Sequence, residues 1–143
     1  GLRELAPGSV RFHPVKGVVV GNIGLHHGHA WPAPDVMACG QVVMGHNHPV
    51  IAFRDRVEKL HTAACWLRVP LVAGERYEDV GDELVIMPAF GELAGRTMNR
   101  EPLRGTGPLL RNGYADLEAA RVESLDGLDF GELRYLMDLR LER

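Results

Sequence analysis

Glycine and proline cut this chain into pieces too short for long helices. There are 17 glycines and 9 prolines among 143 residues, and both are strong breakers of regular structure. Between them lie short apolar runs: Val18-Val19-Val20, "QVVM" at 41–44, "VIAFRD" from Val50, "ACWLRVPLV" from Ala64 and "DELVIMPAF" from Asp82. Short apolar runs bounded in this way read as strands. The first pairs with Ile23 to His27 as a hairpin across Gly21-Asn22, and "PDVMA" reads as one helical turn with Pro34 at its first position. "ARVESLDG" is ambiguous between helix and strand; Asp126-Gly127 at its end favours strand. The expectation is a single domain over 1–143 of α/β (α+β-like) class. It is mainly β from residue 18 to 90 with a mixed sheet, irregular from 91 to 113, and closed by a C-terminal helix from about Phe130. For that helix Asp129 is the expected N-cap, with Glu132 three residues on, and Leu133, Leu136 and Met137 share a face.

The histidines carry the chemistry. Of seven, three fall within "LHHGHAWP" (residues 25–32) and two within "MGHNHP" (residues 44–49). Each cluster follows an apolar strand and is bracketed by glycine or proline. Polar groups at a strand end sit on a rigid base, a common way to build a site. If the strand direction persists past Gly45, His46 and His48 point to one side. Neutral imidazole is the commonest transition-metal ligand, and mixed nitrogen and oxygen sites with open positions suit manganese, iron, zinc or cobalt. His27, His46 and His48 are therefore the candidate metal ligands. His26 points to the other side of its strand and reads as structural. His29 stays open between ligand, phosphate contact and support for a ligand, and is the candidate for a catalytic role. His13 and His61 read as ordinary packed histidines. Trp31 could stack a base, but a tryptophan after a strand more often plugs a core edge.

Composition narrows the classes. A net charge of −3 with interspersed signs gives no electrostatic footprint for membranes or non-specific nucleic-acid binding. A local basic patch from Arg54, Arg56 and Arg68 stays open. No stretch has the apolar length of a membrane span, and no signal peptide is visible. Cys39 and Cys65 form no C-x-x-C pair, so the expectation is a reduced, cytoplasmic chain without a cysteine zinc site. The H-E-x-x-H signature is absent as well.

In this order, "HGHAWP" and "VMGHNHP" resemble the fourth and fifth motifs of the calcineurin-like metallophosphoesterases. The likeness is greatest to the archaeal ICC-like phosphoesterases and the DNA-ligase-associated metallophosphoesterases. It continues through "FRD", "WLR", "LVIMPAFGELAG" and "LDGLDFGEL", and so covers nearly the whole chain. The resemblance implies the C-terminal part of a four-layer αββα sandwich. It implies a hydrolase that cleaves phosphomonoesters or phosphodiesters with two divalent metal ions, manganese first, with zinc, iron or nickel as alternatives. His27 matches the single histidine of the fourth motif, and His46 and His48 the pair of the fifth. The substrate would be a phosphoester, with nucleotides and DNA among the candidates.

The family's first three motifs, which supply the bridging aspartate and other ligands, have no match here. The chain begins at Gly1, and "GLREL" is similar to the text that follows the third motif. The expectation is an N-terminally truncated domain that binds metal weakly and hydrolyses little on its own. The rival reading is a non-catalytic, split or degenerate metal-binding module that needs a partner half, a second copy of itself included.

Overall fold

The computed structural model describes residues 2–91, 94–100 and 103–137. It is a mixed α/β structure, mostly one mixed sheet with few helices. A short helix α1 (Leu2–Leu5) leads into a turn-rich stretch. The hairpin β1 (Val18–Val20) and β2 (Ile23–His26) follows, and then one helical turn, α2 (Pro34–Met37), that opens on proline. Strand β3 (Gln41–Met44) lies parallel to β2. Next come β4 (Pro49–Arg54), the long β5 (Leu60–Pro70) and β6 (Glu83–Ile86), the last parallel to β3.

Strand β5 joins the two parts of the sheet. Its first half, Leu60 to Ala64, pairs antiparallel with β4. Its second half pairs with β6 on one side and β8 (Arg121–Ser124) on the other. The order along the main path is β1-β2-β3-β6-β5-β4-β7, where β7 is Arg96–Thr97, with β8 and β9 (Asp129–Glu132) branching from β5. Residues of period 2 face one covered side: Val42 and Met44 on β3, Leu84 and Ile86 on β6, Leu67 and Val69 on β5, Val122 on β8. All are essentially inaccessible. Removing such side chains from water is worth about 1.5–3 kcal/mol each. Val36 and Met37 of α2, Leu109 and Leu133 close the same core.

Two expectations need correction. The segment 91–113 is not wholly irregular: it contains a short strand, β7 (Arg96–Thr97), which pairs parallel with the start of β4, and a helical turn, α3 (Pro108–Arg111). The C-terminal helix does not start near Phe130. Asp129 to Glu132 form β9, and Leu133–Leu136 are a 3-10 helix. The carboxylate of Asp129 accepts the backbone N–H of Gly131 and pairs with Arg121, so it caps no helix. The physical reason is the Asp126-Gly127 turn, with Gly127 at φ +88°. It folds the next segment back onto β8, where backbone pairing outweighs weak local helix propensity. Residues 138–143, the rest of the expected helix, lie outside the described residues. Among the described residues no helix is long and apolar enough to cross a membrane. Cys39 and Cys65 are both buried free thiols.

Candidate metal and phosphate site

Parallel pairing places the two histidine clusters side by side. His26 of β2 is in register with Met44 of β3, and Met44 with Ile86 of β6. The three parallel strands therefore end at one edge of the sheet. In open α/β sheets ligands bind just outside such carboxyl ends. His27 leaves β2 at this edge, and Gly45 and His46 leave β3 beside it.

The imidazoles of His27, His29 and His46 meet there. Ring centres are 5.1 Å apart for His27 and His29, 5.2 Å for His27 and His46, and 6.2 Å for His29 and His46. With metal–nitrogen bonds of about 2.0–2.1 Å, two imidazoles on one tetrahedral ion hold their ring centres about 5 Å apart. Burial comes first among the causes that hold His46 below the ordinary imidazole range. The neighbouring His27 and His29 follow, then His48 and Arg111. These causes favour the neutral imidazole, the form that ligates metal. The fit is one of spacing and chemistry. Among the described residues no three His, Cys, Asp or Glu side chains stand ready as a ligand set. The exposed rings of His27 and His29 would have to turn about their χ angles to aim their nitrogens at one point.

His48 takes a different place from the one alternation suggests. The strand direction does not persist: His46 and His48 have φ of 61° and 46°, and Asn47 N–H donates to Gly45 O at 2.6 Å across a tight turn. No ring contact involves His48 among the described residues; its carbonyl accepts Arg96 N–H at 2.8 Å. Its charge still reaches His46. His26 faces the core, as expected, at 9 % exposure, and neither of its ring nitrogens has a hydrogen-bond partner among the described residues. Burial pushes it down to about 4, helped by His27 and His29.

A second loop completes the site. Asn47 Oδ1 accepts the N–H and the hydroxyl of Thr106, and Asn47 Nδ2 donates to Thr106 O. The clamp draws residues 105–107 against the first histidine loop. The approach is so close that a Cβ on Gly107 would lie 2.0 Å from Gly28 O, and both glycines have positive φ, 84° and 110°. The result is a cleft of about 490 Å³ whose lining includes His29, Trp31, His46, Thr106, Arg111 and Asn112 but, among the described residues, no carboxylate. Trp31 is half-buried at its rim, edge-on to Tyr114 at 5.7 Å, with Arg76 over its ring at 4.4 Å.

Thr106, Arg111 and Asn112 carried no motif in the sequence. The one hint was the density of glycine and proline around them, which marked a loop without saying where it lands. The other candidates fall elsewhere. Arg54 is held by Glu58 at the far end of the β4–β5 hairpin, and Arg68 lies between Glu83 and Glu123, so the two arginines make no patch. His61 pairs with Asp55 and stacks on Phe53. No family model, curated protein or solved structure matches the chain.

Proposed function

We propose that this chain carries part of the site of a metal-dependent phosphoesterase of calcineurin-like type. The observation that supports it best is the meeting of His27, His29 and His46 at the ends of two parallel strands, beside a cleft lined by Arg111 and, among the described residues, by no carboxylate. His27 and His46 would hold a divalent ion, manganese first. His48 would serve a second ion after its loop adjusts. Bound metal would supply Lewis acidity toward the phosphoryl oxygens and lower the pKa of a coordinated water. The guanidinium of Arg111 offers forked donors to phosphoryl oxygens that the metal does not take. His29, exposed at the cleft, is placed to carry a proton to or from the substrate oxygens. Asn47 fixes the loop that shapes the cleft.

One observation favours the second reading, a metal-binding module that does not turn over alone. Among the described residues no carboxylate lines the cleft with the imidazoles. Neutral ligands leave the charge of two close cations uncompensated, so the chain by itself is suited to one weakly held ion. Activity would then require a polypeptide, linked or separate, that contributes acidic ligands.

The test combines binding with turnover. Cobalt(II) or manganese(II) titration should show one weak site in the wild type, and a His27→Ala/His46→Ala variant should lose it. With manganese, hydrolysis of bis(p-nitrophenyl) phosphate should be close to background in both. Equal metal binding in the two proteins would overturn the site. Robust turnover abolished in the variant would show that the chain is catalytic without further ligands.

A further inference from the structure

The histidine cleft adjoins a second one that the proposed chemistry does not use. Arg96, Arg104 and Arg111 line a cleft of about 560 Å³, together with Leu103, Gly105 and Leu110 among the described residues. Arg111 lines both clefts, and its charge is among those that reach His46. Among the described residues the lining of neither cleft includes an aspartate or glutamate, in a chain whose net charge is −3. Among the described residues no carboxylate pairs with Arg96, Arg104 or Arg111. Other arginines here are matched: Arg68 with Glu83 and Glu123, Arg121 with Asp129, Arg134 with Glu132. Arg96 is also pre-positioned. Its Nε donates to Arg104 O at 3.3 Å, and its backbone N–H donates to His48 O.

Three like charges around one concavity repel one another, and an anion removes that repulsion. Guanidinium groups match phosphoryl oxygens in geometry and are less strongly hydrated than ammonium groups. We propose that the Arg96–Arg104–Arg111 cleft binds a second phosphoryl group of the ligand whose first phosphoryl group sits at His29 and His46. The inference rests on the phosphoesterase reading for the first position alone. It makes the ligand a molecule with two phosphoryl groups. These are either adjacent, as in a diphosphate, or spaced by a sugar, as along a nucleotide chain. Arg111, shared by both clefts, would stand between them.

Binding without metal tests this apart from catalysis. Isothermal titration in EDTA would compare inorganic phosphate, inorganic pyrophosphate and thymidine 3′,5′-bisphosphate. At least one of the two-phosphoryl probes should bind about tenfold or more tightly than phosphate, the scale of an added charge-assisted contact. The stronger of the two reports the spacing. An Arg96→Gln/Arg104→Gln variant should lose that advantage to within about twofold and keep its affinity for phosphate. Both side chains are exposed, so the fold should survive; if melting shows that it does not, Arg96→Lys/Arg104→Lys takes its place and should lose part of the advantage. No advantage in the wild type, or an undiminished one in the variants, would overturn the proposal. An advantage in a protein whose metal binding is unchanged by His27→Ala/His46→Ala would sink the metal-site reading and leave this cleft standing. Metal binding lost in that variant, with no advantage for a two-phosphoryl probe, would do the reverse.

Discussion

Asn47 and Thr106, 59 residues apart, are joined by three hydrogen bonds: Thr106 N–H to Asn47 Oδ1 at 2.6 Å, Thr106 Oγ1 to the same oxygen at 2.9 Å, and Asn47 Nδ2 to Thr106 O at 3.2 Å. Asn47 is 2 % exposed. An amide is the one side chain that both donates to and accepts from a backbone in this way. The asparagine between the two histidines therefore acts as a clasp, and through Thr106 it decides where Arg111 stands.

Asn47→Ala should leave the backbone groups of Thr106 without partners and cost about 1–3 kcal/mol. Asn47→Asp should be no better, because it loses the donor and sets a carboxylate against Thr106 O. Urea denaturation checks the stability. Phosphate binding checks the function, and it should weaken in both variants, while Thr106→Ser, which keeps the hydroxyl, should behave as the wild type.

Gly107→Ala tests the contact between the loops. The added Cβ would lie 2.0 Å from Gly28 O, at a backbone φ of 84°. Both the clash and the positive φ oppose it, so the loss should exceed the ~1 kcal/mol of an ordinary glycine replacement. Gly113→Ala, also at positive φ but with open space around it, separates the two causes: it should cost less and leave phosphate binding intact.

What was legible in the sequence was local. The runs at 18–20 and 41–44 are strands because each is apolar, short and bounded by turn residues. His27 and His46 were expected to meet with His48; His29, left open by the sequence, meets them instead, and positive φ at His46 and His48 breaks the strand direction on which the expectation for His48 rested. The mistaken helix shows the limit. Leu133 and Leu136 share a face at a spacing of three, which suits a 3-10 turn as well as an α-helix, and both are buried in the core. What placed Asp129 to Glu132 in a strand was pairing with β8, which no local window contains. Arg111 and Thr106 were equally invisible, since a hydrogen bond to Asn47 brings them in across half the chain.

The two thiols should differ in how they become reactive. Cys65 is fully buried where β5 changes partners, and burial pushes its thiol up to about 12. It has almost no thiolate at pH 8, and thiolate is the nucleophile. Cys39 lies just after α2, at 5 % exposure, with its Sγ donating to Asp35 O. Opening one short turn exposes it. Iodoacetamide labelling followed by mass spectrometry should find Cys39 modified first, and Cys65 at a rate that tracks global unfolding in urea. Earlier labelling of Cys65 would contradict the packing.

His26 gives the metal-free chain an acid-sensitive stability. Its imidazole is lowered to about 4 in the fold, against about 6.5 in an unfolded chain. Above pH 7 it is neutral in both states and contributes no pH dependence. Between those two values the unfolded state takes up the proton and the folded state does not, so stability falls as pH falls. The drop levels off near pH 4 and totals roughly 3 kcal/mol. The carboxylate of Asp55, lowered chiefly by its contact with His61, adds a loss at lower pH. Urea unfolding in EDTA from pH 7.5 to 4 measures the slope. His26→Leu is the comparison: it removes a buried ring whose nitrogens have no partner among the described residues, so it should hold or raise stability at pH 7.5 and flatten the slope above pH 4.5. An equally steep slope in the variant would assign the acid sensitivity to other groups.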